Sequence, residues 1–241
     1  MSALDWTVLV SAALLVGFAK TAIGGIGAIA TALFATVLPA RESTGALLPL
    51  LLAGDVLAVA SYRRHADWPT LLRLFPSVAA GVVLGAAFVA RVDDEAMRRT
   101  IGALLVVLVG LSVVQRVRRR PIEVRGRLAG AAFGSMAGFA TMVANAAGPV
   151  MSIYLLATGI SMLGFLGTGA WFFLLVNLFK LPFSIALGLI DLGSLRTDAL
   201  LLPALAVGAV IGRLVIGRID RGVFEVLVLA ATVAAAANLL R

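Results

Sequence analysis

Five polar residues stand in stretches that are otherwise almost wholly apolar: Lys20, Asp55, Asn145, Asn177 and Lys180. An ionisable group in a hydrocarbon setting is costly and usually faces a pathway or a partner, so each is a candidate for function. Lys20 can attract an anion or act as a structural lysine that reaches the interface. Asp55 can carry a proton or simply pair with a basic side chain. Lys180 is expected near a helix end, where snorkelling competes with a part in substrate binding. Asn145 can bind a ligand or cap a helix that starts after it. Asp55 and Asn177 become equivalent positions of two repeated halves if one residue is inserted between a glycine-containing break in each half and the helices that carry them.

The residues of soluble-enzyme chemistry do not assemble. The only histidine, His65, stands beside Arg63 and Arg64, cysteine is absent, and no HExxH run offers zinc ligands. In Gly134-Ser135-Met136-Ala137-Gly138 the serine comes one place too early for a nucleophile elbow. The chain is therefore read as no enzyme, needing neither a metal nor a cofactor.

The elements that must position these residues follow from composition. Of 241 residues 61% are hydrophobic and 13% charged, where a soluble domain carries about a quarter charged. Apolar stretches of roughly 17 to 25 residues recur, each long enough to cross a hydrocarbon core as a helix. They lack the period-two alternation of membrane strands. The expected fold is an all-α polytopic membrane protein with spans near 6–38, 45–61, 72–90, 98–115, 128–158, 164–181, 199–217 and 223–240. These are about eight transmembrane helices as two homologous four-helix repeats. The repeats are 1–115 and 128–241, joined by a basic linker at 116–127.

The net charge of +8 resides largely in that linker (Arg116, Arg118, Arg119, Arg120, Arg125, Arg127) and at Arg63-Arg64. Arginine clusters between spans are topology signals that keep loops in the cytoplasm, so nucleic acid is not an expected partner. The amino-terminal Met-Ser-Ala-Leu-Asp-Trp lacks a basic signal-peptide n-region, and the first helix is expected to be retained. The expected location is the cell inner membrane, multi-pass in the lipid bilayer, with room for a homodimer. Counting single crossings from the basic loops puts both termini in the cytoplasm and makes the repeats parallel. Re-entrant hairpins would instead make the repeats inverted.

The repeat is legible in the letters. Phe75 to Asp94 matches Leu202 to Arg221, pairing Pro76 with Pro203, Gly81 with Gly208, Gly85 with Gly212, Arg91 with Arg218 and Asp93 with Asp220. Gly17-Phe18-Ala19 matches Gly138-Phe139-Ala140, and Gly27 aligns with Gly148. One stretch differs: Tyr62 to Arg73 is polar, whereas Pro182 to Ser194 is apolar and is expected to form an extra interfacial or re-entrant element.

The first span of each half is too long for one straight crossing, since 33 residues would run roughly 50 Å against a core of about 30 Å. Each is interrupted by helix-weakening residues, Ile23-Gly24-Gly25-Ile26-Gly27 and Asn145-Ala146-Ala147-Gly148-Pro149. Broken backbone at membrane depth persists only when buried in protein or lining a cavity. Half-helices starting after these breaks would aim unpaired N–H groups and dipoles at one place, which favours a small oxyanion over a cation.

These motifs resemble those of a known family. Gly17-Phe18 followed by Ile23-Gly24-Gly25-Ile26-Gly27 is similar to the first glycine-rich signature of the sulfite exporter TauE/SafE family, also called the 4-toluene sulfonate uptake permease family. The match continues through Ala144-Asn145-Ala146-Ala147-Gly148-Pro149-Val150, Tyr154-Leu155, Gly167-Thr168-Gly169-Ala170-Trp171 and Asn177-Leu178-Phe179-Lys180. Ile26 and Ala28 depart from the unbroken glycine run, and Asn145-Ala146-Ala147 replaces early glycines of the second motif. The resemblance implies a permease of about eight spans that moves sulfite, sulfonates or related organic anions.

The leading reading is a secondary transporter exporting small anions by alternating access of the two halves. Lys20 attracts the anion, with Thr21, Gly24, Gly25, Gly27, Asn145, Gly148, Pro149, Thr168, Trp171, Asn177 and Lys180 forming the site and Asp55 coupling protons. The alternatives are an uptake permease, a channel-like pathway or a membrane scaffold without flux.

Overall fold

The structure is a computed structural model that describes residues 1–21, 27–118, 126–215, 229–230, 232–234 and 236–240. Its elements are α1 (Ala3–Thr21), α2 (Gly27–Phe34), α3 (Ala40–Ala46), α4 (Leu48–Tyr62), α5 (Trp68–Val89), α6 (Asp94–Arg118), α7 (Gly126–Ala144), α8 (Ala147–Ala157), α9 (Met162–Ala186) and α10 (Leu192–Val215). A single 3-10 turn, Arg63–His65, joins α4 to α5, and no strand occurs among the described residues. Among the described residues six helical stretches are long and apolar enough to cross a membrane: Ala3–Thr21, Ala40–His65, Trp68–Val89, Asp94–Val114, Met162–Ala186 and Leu192–Leu214. The chain is a multi-pass helical membrane protein.

The two overlong segments fold as hairpins. Across the second break, the Phe133 ring of α7 lies 6.3 Å from the Tyr154 ring of α8, which requires α8 to return along α7. In the first, Ala30 and Phe34 of α2 share a buried cluster with Leu9, Ala12 and Ala13 of α1, so α2 returns along α1. Residues 22–26, with Gly24 and Gly25, lie outside the described residues, as do 119–125 of the basic linker and the Arg218 and Asp220 correspondences. The remaining linker positions belong to the ends of α6 and α7.

Glycines set how the long helices cross. A Cβ on Gly17 would lie 1.9 Å from Leu205 O, and one on Gly208 would lie 2.1 Å from Leu14 O. One on Gly138 would lie 2.0 Å from Val78 O, and one on Gly81 would lie 2.1 Å from Ser135 O. Small residues let backbones approach in this way. The contacts are exchanged: α1 packs on α10 and α7 on α5, so the opening helix of each sequence half grips the other half.

The same contacts give directions. Along α1, Leu14 meets Gly208 and Phe18 meets Gly212; along α7, Ser135 meets Gly81 and Phe139 meets Gly85. Both pairs are parallel. The chain before and into α4 (Leu47, Leu50, Leu51) joins the cluster at Leu9 and Ala12, while Tyr62 at its end donates to Thr21 O at 3.2 Å. Hence α4 runs with α1. A tight turn reverses the chain into α5, and α5 runs with α7, so α1 and α7 are antiparallel.

That corrects the simple crossing count. Because α2 turns back, the amino terminus lies on the face opposite the Arg63–His65 turn, not on the same one. The carboxy-terminal residues lie at that opposite face too, where Arg98 Nη2 donates to Asn238 O at 3.0 Å. Residues 236–239 are helical, and the rest of the expected 223–240 span lies mainly outside the described residues.

Pro182 to Ala186 also differs from expectation. Instead of an interfacial element, these residues continue α9, with Pro182 inside the helix, and α10 already begins at Leu192. A proline inside a helix forfeits one hydrogen bond, and apolar contacts flank it here, with the tilted rings of Phe179 and Phe183 5.5 Å apart.

Candidate functional site

The end of α1, the start of α2, the second break, α4 and α9 border a cavity of about 70 Å³. By the roughly 10–15 Å³ that one water requires on this measure, it has room for a small molecule. Lys20, Asp55, Thr141, Asn145, Asn177 and Tyr62 form its polar wall, and Gly27 and Gly148, one from each break, also border it. The lining also includes the apolar side chains of Met151, Leu155, Phe165, Leu166 and Phe173.

Lys20 leaves α1 in its last turn and pairs with Asp55 Oδ1, the lysine side chain 13% exposed and the aspartate 0%. A Cβ on Gly54 would lie 2.9 Å from Lys20 Cγ, so glycine at 54 makes room for the lysine stem to lie along α4. The ammonium also sits 4.7 Å from the centre of the Phe173 ring, a cation–π distance. Asn177 Nδ2 donates to the other Asp55 oxygen at 2.6 Å, which ties α9 to the pair. Asn177 Oδ1 is buried without a partner among the described residues. An unpaired acceptor of this kind is expensive unless something fills it.

The second break is organised by Asn145. Its φ of +50° is a left-handed conformation that asparagine tolerates better than most residues. Ala146, not Asn145, occupies the cap position of α8, and no side chain caps that helix. Asn145 Nδ2 instead donates to Thr31 Oγ1 at 3.1 Å and to Thr44 O at 3.0 Å, latching α2 and α3. A Cβ on Gly27 would lie 2.7 Å from Asn145 O, so the two breaks touch.

Lys180 does not snorkel. Because α9 continues to Ala186, this residue is mid-helix and only 1% exposed. Its ammonium donates to Thr141 O at 2.8 Å and to Asn145 Oδ1 at 2.5 Å. It thus stands behind the cavity wall, not on it.

Of the residues singled out from sequence, Lys20, Gly27, Asp55, Asn145, Gly148 and Asn177 border the cavity. Thr21 donates to Ala209 O at 2.9 Å and fastens the α1–α10 crossing. Thr168 is buried and accepts from Asp67 N at 2.9 Å, fixing the turn before α5. Trp171 Nε1 donates to Arg63 O at 3.3 Å, and its ring lies 5.1 Å from Trp68. Pro149 sits in the first turn of α8, where a missing N–H removes no helical bond. Sequence reasoning missed Tyr62, Thr141, Ser152 and Phe173; the only signal was that Thr141 occupies the Lys20 position of the repeat. Among the described residues no acidic, histidine or cysteine cluster could hold a metal ion.

A cavity at two facing backbone breaks, with a buried ion pair on its wall, inside apolar helices, is an arrangement suited to passing a small polar solute. No curated protein and no solved structure matches the chain. A family model does match it, that of the sulfite exporter TauE/SafE, over residues 9–239, and the chain belongs to that transporter family.

Proposed function

We propose that this protein exports a small oxyanion, a sulfite, sulfonate or related organic anion, across the cell inner membrane by alternating access. The observation that carries the reading is the meeting of both breaks, at Gly27 and at Asn145 to Gly148, on one cavity that also holds Lys20. The starts of α2 and α8 present first-turn N–H groups there, which suits negative charge. Lys20 is the direct ligand, and Asn177 holds the Asp55 carboxylate beside it. Asp55 is the proton-coupling residue, taking up its proton when the site is without the anion. With Arg63, Arg64 and the linker in the cytoplasm, both termini face the other side.

The test is flux of radiolabelled sulfite and of methanesulfonate in proteoliposomes. Lys20→Met alone would strand the Asp55 carboxylate, so the pair is removed together as Lys20→Met/Asp55→Asn. Transport by the native protein, lost in the double variant while gel filtration still shows a folded chain, is the expected result. Undiminished flux in that variant removes Lys20 and Asp55 from the mechanism, and absence of flux with every anion favours a scaffold.

A further inference from the structure

Counting charge at the cavity leads to a sharper statement about its ligand, one that rests on the anion-transport reading above. Lys20 and Asp55 neutralise each other. The exposed Arg99–Glu95 pair on α6 is the other ion pair among the described residues. Lys180, on α9 immediately behind the wall, donates only to the neutral acceptors Thr141 O and Asn145 Oδ1. No carboxylate among the described residues bonds it. Asp198, also buried, is seven residues from Leu205 at the Gly17 crossing, or roughly 10 Å along α10, and does not border the cavity.

We propose that the cavity is built for a monovalent oxyanion, and that Lys180, not Lys20, supplies the charge that offsets it. The ammonium acts through Asn145: it holds the side-chain oxygen, so the amide nitrogen is turned to Thr31 and Thr44 and the left-handed backbone at 145 starts α8 at the cavity. Lys180 is thereby a positioning residue as well as the uncompensated charge. Burial at 1% exposure keeps water from screening it. A dianion would leave one negative charge unbalanced in a low-dielectric site, which is costly.

Two probes of fixed charge near neutral pH test this, methanesulfonate as monoanion and sulfate as dianion, by thermal stabilisation of the full chain in detergent at pH 6.5 and constant ionic strength. The native protein is expected to respond at a concentration on the order of tenfold lower for methanesulfonate than for sulfate. Lys180→Met should lose the methanesulfonate shift. Asp55→Asn frees Lys20 and raises the site by one charge, so sulfate should gain relative to methanesulfonate; a purely structural role for these residues would not invert that preference. Equal or stronger response of the native protein to sulfate overturns the charge count and leaves the transport reading intact, as does Asp55→Asn with unchanged preference. If neither probe, nor sulfite nor acetate, shifts the native protein, the anion reading itself fails and takes this inference with it.

Discussion

The crossing of α1 with α10 and the crossing of α5 with α7 are built alike, residue for residue, yet the polar groups mounted on them are arranged in opposite ways. On one side the cation is on the crossing helix itself, Lys20 of α1, and its acceptor is a carboxylate on α4. On the other the crossing helix offers only acceptors, Thr141 O and Asn145 Oδ1, and the cation comes from α9 as Lys180. Asp55, the carboxylate of the first arrangement, has Asn177 as its counterpart, and the two are bonded to each other. Packing geometry constrains backbone separation and so tolerates little variation. A polar site needs only donors matched to acceptors, and it can exchange which helix supplies which.

The equivalence of the two crossings can be broken most severely at its glycines. Gly17→Val and Gly138→Val each force a Cβ into a carbonyl oxygen, at 1.9 Å from Leu205 O and 2.0 Å from Val78 O. Each should cost about 4 kcal/mol or more and remove the folded peak in gel filtration. Tolerance of one but not the other would show that the crossings are alike only in shape.

The difference between the two polar arrangements is expected to show next. Lys20→Met leaves a buried carboxylate without its partner and should destabilise by about 3 to 5 kcal/mol. Lys180→Met leaves only neutral acceptors unpaired, at about 1 to 3 kcal/mol. Thermal unfolding of the two variants ranks them, and the reverse order would mean that Asp55 is not relying on Lys20.

The smallest effect concerns the helix starts. Asp67 caps α5, accepting from Thr70 N at 3.3 Å, and Asp191 plays the same part for α10, accepting from Ser194 N at 2.6 Å. That backbone hydrogen bond holds the Asp191 carboxyl below its ordinary value of 3.8. A depressed value contributes stability above the ordinary value, and the contribution is lost as pH falls through the lower, folded one. Amide exchange at Ser194, corrected for its intrinsic pH dependence, should therefore stay protected until the solution is more acidic than ordinary carboxylate titration. Loss of protection well above that range would deny the cap its role.

Much of this architecture was legible in the letters because it depends on local chemistry. Apolar length revealed membrane helices, and glycine spacing revealed surfaces for close crossing. The breaks were readable at Asn145 to Pro149, since asparagine, glycine and proline weaken a helix wherever they stand. Thr168 and Trp171, read from sequence as possible ligands, bond the turn before α5 and do not line the cavity; a polar or aromatic residue in an apolar run looks the same whether it faces a cavity or ties down a turn. Lys180 was placed near a helix end because Pro182 reads as a stop, whereas packing around Phe179 and Phe183 carries α9 past it.

By itself the sequence determined the class of protein, the correspondence between its parts and the residue types available for an anion, all consequences of hydrophobic transfer and backbone sterics acting over a few turns. Only the tertiary structure decided that the opening helices exchange partners, that α1 and α7 run oppositely, and that Lys20 bonds a carboxylate while Lys180 bonds only neutral acceptors among the described residues. Those are facts of distance between residues far apart in the chain. Electrostatic energy depends on such distances and on burial, and neither is written in the order of residues.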